Sequence, residues 1–204
     1  GLWYKMHWFE MAARVPLLVH APARFAAHRV SQSVSTVDLL PTLVELAGGQ
    51  VEPGLALDGR SLLPHLQGNG GHDEVLGEYM AEGTTSPLMM IRRGEWKFVY
   101  SEEDPLLLFN VANDPQEREN LATSPDHREQ LEAFLAEARS RWDMTAIHGA
   151  TLASQRRRRL VAEALSQGKL KSWDHQPLVD ASEQYMRNHI DLDDLERRAR
   201  FPQP

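Results

Sequence analysis

Residues 87–100 read PLMMIRRGEWKFVY, and their reading decides the architecture of the middle of the chain. Two runs of apolar and β-branched or aromatic residues flank RRGEW, where Gly94 supplies the permissive backbone of a tight turn. Upstream lies VLGEYM (75–80) and downstream PLLLFNV (105–111), each with strand composition. Spacing this close leaves no room for helical crossovers, so the segments predict an antiparallel sheet.

Working outward toward the C-terminus, NDPQERENL is a polar turn built on Asn113, Asp114 and Pro115. SPDHREQLEAFLAEARSRW then starts a helix, with Ser124 as cap and Pro125 at its first position. Its apolar face is Leu131, Phe134, Leu135, Ala138 and Trp142. A second, basic helix is expected over 151–168, ended by Gly168. From Leu170 onward the pattern is irregular and reads as an extended tail needing another surface.

Toward the N-terminus, residues 48–71 form a Gly- and Pro-rich connection with a short helical turn near Ser61–Leu66. Before it, STVDLLPTLVELAGG predicts a helix capped by Asp38, with Pro41 in its first turn and Gly48 and Gly49 at its end. The bounded apolar run VPLLVHAP (15–22) predicts a buried strand of a parallel sheet. Strand followed by helix is α/β order. Three regions follow: 1–72 as the end of a large α/β domain, 73–169 as a smaller antiparallel α+β subdomain, and 170–204 as the tail.

Composition narrows the function. A chain of 204 residues that is 42% hydrophobic and 25% charged can build a globular core. Its net charge of −7 argues against a general nucleic-acid surface. The run Arg156–Arg159 is the local exception, and it reads as a solvated helix face. No stretch has the length of a membrane span, and a cytoplasmic location is the default expectation. Cysteine is absent, which removes disulfides, thiolate metal sites and cysteine nucleophiles from these residues. The nine histidines form no close ligand pair, and no nucleophile elbow or phosphate-binding loop is present. No metal ligands are assigned. GLWYKMHWFE (1–10) stands apart, because Lys5 lies among Trp3, Tyr4, Trp8 and Phe9. A lysine buried among such rings needs an anion, whereas an exposed one snorkels past them; both readings stay open from composition.

The motifs GLWYKMHWFEMAARVPLLVHAP, VSTVDLLPTLVELAG, LDGRSLLPHLQG, IRRGEWKFVY and LFNVANDPQERENLA occur here in one order. In that order they resemble the C-terminal half of type I sulfatases of the alkaline phosphatase superfamily. WDHQP, ASEQYMRNH and DLDDLERRARFP resemble the C-terminal extension of the choline sulfatases. The resemblance implies a chain that is the C-terminal portion of a sulfuric ester hydrolase acting on choline O-sulfate. It also implies formylglycine and Ca2+ in the intact enzyme, although neither Ser61 nor Ser86 lies in an S-x-P-x-R frame that could match the nucleophile. By the same resemblance Lys5 matches a sulfate-contacting lysine. Choline's quaternary ammonium calls for aromatic faces and carboxylates. Glu82, then Glu78, and the tail acids Asp193 and Asp194 are the candidates. The tail is further expected to join copies into a homo-oligomer. Rival expectations are a sulfatase or phosphonate monoester hydrolase acting on another ester, and a non-catalytic folding or oligomerisation module.

Overall fold

The computed structural model describes residues 5–52, 54–81 and 83–168. The chain divides into two compact units, 1–156 and 157–204. In the first, strands β1 (Glu74–Tyr79), β2 (Leu88–Arg93), β3 (Trp96–Tyr100) and β4 (Leu107–Asn110) form one antiparallel sheet in sequence order. The β2–β3 turn is the one expected at Arg93–Gly94–Glu95–Trp96, with Arg93 facing Trp96 and Gly94 at φ 55°. That positive φ favours glycine because a Cβ would crowd the backbone there.

Period-2 alternation gives the sheet two faces. Met89, Ile91, Phe98, Tyr100 and Leu108 point to one of them and form the core with Phe134, Ala138, Trp142 and Met144. Helix α4 (Arg128–Arg141) covers this face. Phe98 and Phe134 stack with centroids 5.7 Å apart, a geometry worth about 0.5–1.5 kcal/mol beyond area burial. The predicted apolar face of this helix is thus the one that packs. Ser124 makes no side-chain cap, however, since a 3-10 turn over Pro125–His127 intervenes before α4 begins. The following helix, α5, runs Met144–Ser166 rather than from residue 151. Asp143 Oδ1 accepts from Ala146 N–H at 2.9 Å and starts it a turn and more earlier.

At the N-terminal end, α1 (Glu10–Ala13) is a single turn, α2 spans Leu39–Leu46 and α3 Leu63–Leu66. Asp38 does not cap α2 as expected. Ser35 caps a 3-10 turn over Thr36–Asp38, and Asp38 reciprocates by accepting Ser35 N–H at 2.8 Å. Its Oδ1 accepts Arg60 N–H at 2.8 Å, while His72 Nε2 lies 3.0 Å from Oδ2, the oxygen that accepts Ser35 N–H. Burial pushes the Asp38 carboxyl up, but these partners outweigh burial and hold it below its ordinary value. Asp38 therefore ties α2 to the 58–72 connection.

The expectation of a buried strand over VPLLVHAP is corrected. Residues 14–21 carry no strand, and Leu18 is 90% exposed, with Val15, Leu17 and Val19 exposed as well. A parallel strand needs neighbours for its backbone donors and acceptors, and among the described residues none lies beside it. The expected tail, 170–204, lies outside the described residues.

Candidate functional site

The second face of the sheet carries Gly77, Tyr79, Met90, Arg92, Lys97, Val99 and Phe109 by register. The segment that begins at Lys5 covers it. Trp8 Nε1 donates to Leu88 C=O at 3.0 Å, and its ring meets Tyr79 edge-on at 6.4 Å. A Cβ on Gly77 would stand 2.7 Å from that indole, so only glycine admits the ring. Phe9 packs on Phe109 with centroids 5.9 Å apart.

Beneath this segment lies a second lysine, on strand β3. Lys97 is 1% exposed. Its ammonium meets Glu10 Oε1 at 2.6 Å and Glu117 Oε1 at 2.7 Å, and donates to Trp8 C=O at 2.8 Å. One hydrogen bond and two close carboxylates thereby compensate the buried charge, as a buried ammonium requires. Glu10 N–H in turn donates to Glu117 Oε2 at 2.5 Å. Arg92, half-buried, stands 3.9 Å from Glu10; burial holds its guanidinium below the ordinary value, against the pull of the Glu10 charge.

Glu117 reaches this position through the NDPQE turn. Asp114 C=O accepts Glu117 N–H at 3.1 Å, and Asp114 Oδ2 accepts Arg118 and Glu119 N–H at 2.6 and 2.9 Å. The turn forces Glu117 into left-handed backbone, φ 52°, the one non-glycine with positive φ among the described residues. Such a residue carries about 1–3 kcal/mol of strain unless its surroundings fix it. Here the buried lysine does.

A groove of about 490 Å³ opens over this cluster, lined by Lys5, His7, Phe9, Met11, Ala12, Gln116 and Glu117. Lys5 is exposed and has no ion pair among the described residues. Of the two readings left open by composition, the exposed one is observed, with Lys5 lining the groove beside His7 and Phe9. Trp3 and Tyr4 lie outside the described residues.

The remaining candidates separate. Glu78 points to the α4 side of the sheet, where its Oε1 accepts Trp142 Nε1–H at 2.7 Å, so it sits on the opposite face from the Trp8 segment. Glu82, Asp193 and Asp194 lie outside the described residues. Gly83, which follows Glu82 in sequence, lies against the Met6 side chain, its Cβ position 3.1 Å from Met6 Sδ. That contact brings the strand-end loop next to the neighbour of Lys5. Among the described residues no three His, Asp or Glu side chains gather as metal ligands, so they offer no ligand set for a calcium ion. The sequence likewise has no cysteine from which a formylglycine could form. No helix among the described residues is long and apolar enough to cross a membrane.

Comparison with known proteins gives two adjoining matches. The family described as N-sulphoglucosamine sulphohydrolase, C-terminal, matches residues 1–141, and the family described as choline sulfatase enzyme C terminal matches residues 149–201. A choline-sulfatase of Rhizobium meliloti (strain 1021) is 44% identical over 206 residues, 99% of this chain and 40% of that protein. Human arylsulfatase K is 34% identical over 58% of this chain and 24% of its own length. The chain thus spans less than half the length of these curated relatives. Among solved structures, the phosphonate monoester hydrolase SpPMH from Silicibacter pomeroyi superposes with a TM-score of 0.55 at 28% identity, covering 68% of this chain and 30% of that one.

Proposed function

Because the chain belongs to the sulfatase family, whose C-terminal region it carries, we propose that the whole protein hydrolyses choline O-sulfate to choline and sulfate. The observation that carries this reading is the tandem match: a sulfatase C-terminal region over 1–141 followed by a choline-sulfatase C-terminal region over 149–201. The 44% identity to a choline-sulfatase runs through both.

On this reading the chain works from the substrate side. Negative charge builds on the sulfate oxygens as the ester S–O bond breaks, and a preorganised cation stabilises that charge more than it stabilises the ground state. Lys5 suits such a role, being an exposed ammonium that lines a groove, with no ion pair among the described residues, on a segment fixed by Trp8, Glu10 and Lys97. Replacing it with Ala should lower kcat/KM for choline O-sulfate by about 100-fold, the cost typical of losing one oxyanion donor. For the choline end we assign Glu82, whose sequence neighbour Gly83 lies by Met6, ahead of Glu78, whose carboxylate already serves Trp142. Glu82→Gln should raise KM for choline O-sulfate several-fold while leaving that for an uncharged aryl sulfate unchanged. Equal effects on both esters would remove Glu82 from the choline site. The tail acids Asp193 and Asp194 we assign to the same end, and the tail itself to assembly of copies.

A second reading is favoured by the superposition on SpPMH: a hydrolase of phosphonate monoesters. Parallel assays of the full-length protein on choline O-sulfate, an aryl sulfate and a phosphonate monoester separate the two. The first reading expects the highest kcat/KM on choline O-sulfate; a higher value on the phosphonate would establish the second.

A further inference from the structure

We propose that Glu10, Lys97 and Glu117 form a positioning unit for Lys5, a role that rests on the reading of Lys5 as the sulfate contact. The unit joins three separate parts of the chain. Lys97 comes from the start of β3, Glu117 from the strained NDPQE turn, and Glu10 and the Trp8 carbonyl from the segment three to five residues beyond Lys5. The Lys97 ammonium lies within 2.8 Å of all three of these partners, and Lys97 is not among the residues that line the groove. A compact point charge with three tetrahedral donors suits this junction, which a flat guanidinium fork would fit poorly.

The unit does two things for an anion in the groove. It fixes the backbone of the segment from which Lys5 projects, through the Trp8 carbonyl and the Glu10 side chain. Its lysine, with Arg92 3.9 Å from Glu10, also balances the charge of the two carboxylates nearby. Glu117 lines the same groove as Lys5, and Glu10 stands behind it. Without Lys97, two neighbouring carboxylates would repel each other, and the groove would oppose a sulfate instead of attracting one. Lys97 itself touches no substrate. Its effect passes through Lys5.

That indirect role has a signature that general destabilisation lacks. In the full-length protein, Lys97→Met should lower kcat/KM for choline O-sulfate by about 10–100-fold, the size expected when a contact is misplaced rather than deleted. It should also weaken competitive inhibition by inorganic sulfate by a similar factor. In a Lys5→Ala background the same change should add little, because the contact it positions is already gone. Fully additive losses would overturn the positioning role while leaving the sulfate-contact reading intact. A Lys5→Ala enzyme with unchanged kcat/KM and unchanged inhibition by sulfate would overturn that reading itself. Should Lys97→Met alone fail to fold, judged by circular dichroism, Lys97→Met/Glu117→Gln removes one charge of each sign and carries the same double-mutant comparison.

Discussion

Gly77 and Lys97 lie on adjoining parts of the same sheet face, and each admits one feature of the segment that covers it. Gly77 leaves space for the Trp8 indole, and Lys97 holds the carbonyl of that same residue. Ala at 77 would set a methyl group 2.7 Å from the ring. The ring must then move, which breaks its hydrogen bond to Leu88 C=O. Overpacking of this kind costs about 1–3 kcal/mol. Gly77→Ala should therefore lower the melting temperature of the full-length protein and shift the fluorescence of Trp8 toward that of exposed indole, a change absent in Trp8→Phe. An unchanged melting temperature and spectrum would show that the segment does not seat on Gly77.

At the scale of elements, α4 is held to β1 and β2 by charge as well as by its apolar face. Arg93 donates to Glu137 at 2.7 and 2.9 Å and through Nε to Glu74 at 2.8 Å, while Arg141 donates to Glu137 at 2.7 Å. The Arg93 hydrogen bond is the main cause that holds the Glu137 carboxyl down at about 2, against burial, from an ordinary 4.5. A depressed carboxylate contributes stability above its unfolded pKa and loses it as pH falls through the folded one. The Glu137 contribution should thus fade between pH 4.5 and about 2. The stability difference between the parent and Glu137→Gln should shrink across this window; a constant difference would contradict the pairing.

The elements also show what can be read from the chain alone. The hairpin at Gly94, the three strand-forming stretches and the packing face of α4 follow from local composition and period, because each is decided by neighbours in sequence. Lys97 escapes such a reading because strict alternation in WKFVY puts it opposite Phe98, where a lysine ordinarily meets water. Met90, Val99 and Phe109 share that face and are all buried, so a signal is present: a lysine on an apolar face needs an acid partner. Which acids it finds depends on two distant segments meeting, and no local pattern contains that. VPLLVHAP misleads for the converse reason. Its apolarity records an environment that the described residues do not provide.

For the whole molecule, the exposed apolar surface is the leading feature. Met11 is 94% exposed, and Val15, Leu17, Leu18, Val19, Val37, Leu40 and Leu43 are exposed around it in the sequence. Isolated apolar residues on a surface are ordinary, but runs of this length along two segments mark surface that associates. The curated relatives extend well beyond the part matched here. The 204-residue chain expressed alone should bind a hydrophobic dye strongly and self-associate at micromolar concentration, and the full-length protein should do neither. A monodisperse monomer with a cooperative melt and no dye binding would mean that this face needs no cover.

The role of Lys5 in sulfate-ester hydrolysis is tested most directly by sulfate release from choline O-sulfate by the purified full-length protein, wild type beside Lys5→Ala. Turnover is expected with a higher kcat/KM than on an aryl sulfate or a phosphonate monoester, together with a loss of about 100-fold on removing the Lys5 ammonium. A wild-type enzyme that leaves choline O-sulfate intact, or a Lys5→Ala variant as active as its parent, would contradict that role.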